Sequence, residues 1–157
     1  MPHRLLAPAL LLTGALLLTP AATANDKAED GPLKFTHALD DSELAVHTPR
    51  PDEEFSPAVE EFHVTGENPY RGDEEAVADG RAVYNRWCQA CHMPDGSGRI
   101  GPALNDDTFL RSRAATDIGE FEIIYGGSAG AMQAFGDRID QDDILRVMAF
   151  LDTLRPD

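Results

Sequence analysis

Apolar residues in the second half of this chain recur at helical spacing. From Asp73 onward, Ala76, Val77, Gly80, Val83, Tyr84, Trp87 and Cys88 fall at three- and four-residue steps, which puts them on one face of a helix. Asp73, Glu74 and Glu75 stand at its start, where the backbone dipole favours negative charge. A Gly-rich loop from Pro94 to Pro102 interrupts the pattern. Thr116-Asp117 then reads as an N-cap and first turn. It leads Ile118, Phe121, Ile123 and Ile124 into a short helix that Gly126-Gly127 ends. The last helix is expected to start near Asp140, with Asp142 and Asp143 in its first turn. It gathers Ile144, Val147, Met148, Leu151 and Leu154 on one face and stops before Pro156. No repeat and no strand pattern stands out, so the fold is expected to be all-α.

Residues 25–72 follow a different pattern. Pro32, Pro49, Pro51, Pro57 and Pro69 are spread among clusters of Asp and Glu, and each proline removes a backbone donor and fixes φ. Leu33, Phe35, Leu39 and Leu44 predict a hairpin or a strap laid against the helical part, and Ala58 to Phe62 one helical turn. The spaced aromatics Phe35, Phe55, Phe62 and Tyr70 favour packing, whereas residues 25–31 read as disordered.

The first residues look like an export signal. Met1-Pro2-His3-Arg4 is a short basic start, Leu5 to Leu18 is almost all Leu and Ala, and Ala22-Thr23-Ala24 is a small-x-small cleavage site. The apolar run is short against the roughly 20 residues of a membrane span, so an uncleaved anchor is the weaker alternative. No cysteine lies near the cleavage site, which disfavours a lipoprotein. The expected organisation is a signal peptide over 1–24, an acidic Pro-rich extension over 25–72, and a helical domain over 73–157. The mature protein is expected in the periplasm without stable membrane insertion.

Charge narrows the partners. The chain has 28 acidic and 13 basic residues, a net charge of −15. Residues 25–79 alone hold 16 acids against 4 bases. Such a surface argues against nucleic acid and anionic membranes, whose phosphates are met by Lys and Arg. It suits salt-sensitive docking onto a basic patch of another protein, or solubility alone.

The chemistry sits in Cys88-Gln89-Ala90-Cys91-His92, which contains both cysteines of the chain. Cys-x-x-Cys-His is the spacing that attaches one covalent haem c: two thioethers to the porphyrin, and an axial imidazole from the next residue. A thioredoxin-like redox pair would need a βαβ setting, and a zinc site two further ligands; neither is apparent. His92 is then the proximal ligand through Nε2. Met132, 40 residues later in the Gly-rich loop from Gly126, is the expected sixth ligand. Met93 is too close to His92 and Met148 reads as core. A second histidine (His37, His47 or His63) and an open sixth position remain as alternatives. Arg99 is a candidate partner for a haem propionate, or a solvated loop arginine. Trp87 is a candidate for the haem rim, or simply core.

The order helix, Cys-x-x-Cys-His, irregular loop, helix, Met loop, helix resembles class I cytochrome c. That resemblance implies a close crossing of the first and last helices, with Gly80 and Tyr84 facing Phe150 and Leu151. Gly101-Pro102 resembles the family's Gly-Pro, which implies that the Pro102 carbonyl accepts the second nitrogen of His92. More specifically, Thr65-Gly66-Glu67-Asn68-Pro69-Tyr70, Arg99 to Asp107, and Thr116 to Gly127 leading into Gly130-Ala131-Met132 resemble the cytochrome c-L family. Leu33-Lys34-Phe35 and the acidic extension resemble its N-terminal segment. Two departures are a single Met132 preceded by Ala131, where the family often has Met-Met, and an end at Asp157 where many members carry a longer tail. The resemblance implies an electron carrier, not an enzyme. It would accept single electrons from a pyrroloquinoline-quinone (PQQ) dependent methanol or alcohol dehydrogenase and pass them to a small cytochrome c or an oxidase. It is expected to act as a monomer. A general carrier for another dehydrogenase or oxidase is the rival reading.

Overall fold

Helices α2 (Glu74–Trp87) and α5 (Gln141–Asp152) cross at backbone contact in the computed structural model of the protein. A Cβ placed on Gly80 would stand 1.9 Å from the carbonyl oxygen of Arg146, so only a residue without a side chain permits this approach. Tyr84, one turn later, meets Phe150 edge-on with centroids 5.1 Å apart. The expected crossing is present, with Gly80 against Arg146 and Val147, a turn before Phe150. Asp73 starts α2 by accepting from Ala76 N at 2.8 Å, which satisfies one of the orphan donors of the first turn.

The structure describes Met1 and residues 32–156. The rest of the expected signal segment, its cleavage site and the stretch 25–31 lie outside the described residues. Gly31–Asp157 form one compact unit. Among the described residues the structure is helical, with one isolated bridge between Thr36 and Glu43 and no strand. No described helix is long and apolar enough to cross a membrane.

Residues 33–66 are packed into the same core as the crossing helices. Phe35, Leu44, Val46, Val59 and Phe62 are buried together with Tyr84, Phe121 and Phe150. The first segment turns back on itself as the apolar spacing predicts: His37 N donates to Ser42 O at 2.8 Å and Leu44 N to Phe35 O at 2.9 Å. Leu39 departs from that expectation. It falls in the turn and is 60% exposed, because the chain reverses before its side chain reaches the core. The single turn expected at Ala58–Phe62 is a nine-residue helix, α1 (Pro57–Thr65). Ser56 caps it by accepting from Val59 N, and Pro57 occupies the first helical position, where no donor is lost.

The short helices α3 (Gln89–His92) and α4 (Asp117–Gly126) frame the remaining side, with a 3-10 turn at Ser112–Ala115 between them. Thr116 caps α4 by accepting from Gly119 N, as its sequence predicts. α4 buries more than its apolar residues, because Glu120 and Glu122 are also enclosed. Glu122 is compensated on both oxygens: Thr36 N donates to Oε1 at 2.5 Å and Arg113 to Oε2 at 2.7 Å. This ties the N-terminal turn to α4.

Candidate cofactor cavity

Because α3 follows α2 directly, the two thiols and the imidazole are carried on helical backbone at the edge of the core. Cys88, Cys91 and His92 line a cavity of about 290 Å³. Its apolar wall includes Leu104, Ile124, Val147 and Leu151, from the loop, α4 and α5. Met132 lines the same cavity from the Gly-rich loop, where Ser128 N donates to Met132 O at 3.0 Å.

His92 is 7% exposed, and its Nδ1 lies 2.9 Å from the carbonyl oxygen of Pro102. A carbonyl only accepts, so Nδ1 carries the hydrogen and Nε2 keeps its lone pair for a metal. A Cβ on Gly101 would be 2.5 Å from His92 Cε1, so the imidazole stands where any other residue would collide with it. The loop is held over α3 by Cys91 O, which accepts from the backbone of Ile100 at 3.1 Å and Gly101 at 3.0 Å. Met93, directly after His92, adopts φ 66° and ψ 155°, a region open mainly to glycine. Its carbonyl accepts from Tyr84 Oη at 2.7 Å.

Burial, with Cys91 nearby, pushes the Cys88 thiol up to about 12. Thiol–disulfide exchange needs the opposite shift, toward thiolate. The arrangement suits a thiol consumed in a thioether rather than a redox pair.

The other sequence candidates are placed as follows. Met148 is buried in the core, away from the cavity wall. His63 Nε2 pairs with Gln141, and His47 Nε2 lies 2.7 Å from Leu33 O; neither histidine, nor His37, lines the cavity. Arg99 is exposed and outside the wall. Trp87 packs edge-on against Phe135, centroids 6.2 Å apart, and is likewise outside it. The charged wall is instead formed by Asp106, Arg111, Glu120 and Arg155. Glu120 and Arg155 were not read from the sequence as site residues. The one available signal is that Glu120 lies four residues before Ile124, on the same side of α4.

These residues fit a haem. An apolar chamber holds two thiols at Cys-x-x-Cys spacing, an imidazole oriented through Pro102, and a thioether. Arg155 Nε is a buried donor with no partner among the described residues. A bound haem supplies one-electron exchange at its iron, and a His/Met ligand pair would favour the ferrous state.

Crossed helices α2 and α5, Cys-x-x-Cys-His directly after α2 and a methionine loop before α5 define a class I c-type cytochrome. The family described as "Cytochrome C oxidase, cbb3-type, subunit III" matches residues 75–151. Cytochrome c-L of Methylorubrum extorquens is 29% identical over 143 residues, covering 89% of this chain and 73% of the relative. Cytochrome c6 of Cladophora glomerata is 30% identical over 83 residues, 50% of this chain and 89% of the relative. The crystal structure of cytochrome cL from the marine methylotroph Methylophaga aminisulfidivorans superposes with a TM-score of 0.75 at 35% identity, covering 77% of this chain and 80% of that one. That of Hyphomicrobium denitrificans gives 0.74 at 30%, covering 78% and 73%. The chain belongs to the cytochrome c-L family. It is an electron-transfer protein rather than an enzyme.

Proposed function

We propose that this protein is a periplasmic monohaem carrier. It takes single electrons from a PQQ-dependent methanol or alcohol dehydrogenase and passes them to a small cytochrome c or an oxidase. The haem is held by thioethers to Cys88 and Cys91, with His92 Nε2 and Met132 Sδ as axial ligands. The observation that carries this reading is the gathering of these four side chains on one apolar cavity. Reduced PQQ yields two electrons and a haem takes one, so two encounters serve each alcohol oxidised. In this reading residues 1–24 are removed on export, 25–72 form an acidic extension, 73–157 carry the haem, and the protein acts as a monomer.

The methanol-linked donor draws support from the cytochrome c-L relatives, one of them from a bacterium described as methylotrophic, and from the acidic surface, suited to a basic partner. The second reading, a general carrier for another dehydrogenase or oxidase, is favoured by the cytochrome c6 likeness, which spans only half of the chain. Stopped-flow reduction of the ferric protein by the organism's PQQ alcohol dehydrogenase separates the two. Fast reduction that slows with salt supports the specific donor, because charges beyond a Debye length of about 8 Å at physiological ionic strength are screened. A normal His/Met spectrum without reduction leaves the general carrier.

A further inference from the structure

The charged part of the cavity wall is built unlike a solvated surface. Glu120 is 7% exposed and pairs with Arg155. Arg155 also binds Asp152 Oδ1 at 3.0 Å, and its guanidinium lies 5.3 Å from the Phe109 ring centre. Asp152 in turn meets Arg71 at 3.1 Å, and Arg71 meets Asp117 at 2.5 Å. The chain of ions runs from the cavity to the half-exposed Arg71, whose side chain is 56% accessible. It counts three carboxylates against two guanidiniums, so one carboxylate is in excess. With its two terminal nitrogens engaged by acids, Arg155 keeps Nε as a buried donor without a partner among the described residues. An orphaned buried donor beside a bound anion is satisfied by that anion.

We infer that Arg155 receives a haem carboxylate through Nε, and that Glu120, its counter-anion, takes up a proton when the iron is reduced. This rests on the haem reading above. The charge logic is direct. One electron arriving from an external one-electron donor removes one positive charge from the cavity. Glu120 then binds one proton from solvent, and it releases that proton when the electron leaves. The groups facing Glu120 are Arg155 beyond α5, Asp152 at the end of α5, Asp117 on its own helix and Arg71 before α2, with Arg111 and Asp106 on the cavity wall. Burial, against the pull of Arg155, already brings Glu120 up to about 7, so the exchange falls near neutral pH.

The test is a spectroelectrochemical titration of the holoprotein across about pH 6 to 8, bracketing that value. The midpoint potential should fall as pH rises through the step, because ionised Glu120 stabilises ferric iron. Glu120→Gln should abolish the step while the His/Met spectrum stays normal. Arg155→Gln should move the step to higher pH, since the cation that favours the carboxylate is gone. A potential independent of pH in the unaltered protein, or an unchanged step in Glu120→Gln, overturns the assignment of Glu120. A step unmoved by Arg155→Gln but displaced by Arg99→Ala overturns that of Arg155. If Glu120→Gln yields no holoprotein, infrared redox-difference spectra of the unaltered protein decide. Loss of carboxylate absorption on reduction at pH 7 is expected, and none overturns the inference. A purified chain without a haem spectrum would refute the haem reading instead.

Discussion

His63 Nε2 donates to Gln141 Oε1 across 2.8 Å, with both residues buried. Gln141 opens α5, and its other groups are also engaged by the N-terminal segment: Nε2 donates to Val46 O at 2.9 Å, and its backbone N–H to Glu53 Oε1 at 2.7 Å. Three points of the N-terminal segment, Val46, Glu53 and His63, thus converge on the first residue of the last helix. This segment is clamped to the same helix that crosses α2 and walls the cavity.

Gln141→Ala should therefore destabilise the whole protein, since it orphans His63 and the Val46 carbonyl at about 1–3 kcal/mol for each buried group. Urea unfolding should show a lower midpoint in one cooperative transition. An unchanged midpoint would mean that the clamp contributes nothing.

The same pair predicts acid sensitivity. Burial holds His63 below its ordinary value, outweighing the bond to Gln141. The unfolded chain then binds more protons than the folded one as pH drops through about 6.5, so stability falls with falling pH in that window. Glu120, raised by burial, acts oppositely: its cost to stability grows as pH rises from about 4.5 toward about 7. His63→Gln should remove only the acid-side loss, measured as urea midpoints at pH 7 and 5 for both proteins.

At Gly80 an added methyl would collide with the Arg146 carbonyl, a backbone atom that moves only if α5 shifts. Gly80→Ala should cost about 1–3 kcal/mol or more of overpacking strain, seen as a lower Tm. A normal Tm would show that the helices do not cross so closely.

At Met93 the backbone is held in a region that costs about 1–3 kcal/mol for a residue with a side chain. Met93→Gly should relieve that strain, leaving the haem spectrum unchanged and the Tm equal or higher. A marked fall in Tm would show that side-chain packing outweighs the strain.

Met132→Ala should lower the reduction potential and remove the weak far-red sulfur-to-iron band of the ferric spectrum, because the thioether favours ferrous iron. An unaltered band would mean that another group is the sixth ligand.

Helix α2 with its acidic start, the Thr116 cap and the face of α5 were legible because their causes are local: a 3.6-residue period, side chains that cap nearby N–H groups, and Pro or Gly at the ends. That Asp73 itself caps α2 came from the structure. The meeting of Cys88, Cys91 and His92 on one cavity wall was legible because it too is local, depending on spacing within five residues. What lay beyond the sequence depends on contacts between distant segments. The acidic Pro-rich stretch hides a nine-residue helix, because Phe35, Val59 and Phe62 find apolar partners only after α4 and α5 are in place. The sequence pattern assigned Glu120 and Glu122 no burial, yet Arg155 and Arg113, 35 and 9 residues away, make their burial tolerable. Arg99 is nearer to His92 in sequence, but Arg111 and Arg155 line the cavity, because chain reversal and not sequence distance sets which charges face it. Periodicity and spacing determined the helices and the Cys-x-x-Cys-His motif. Tertiary structure alone decided which polar groups would be buried, since that depends on partners brought from elsewhere in the chain.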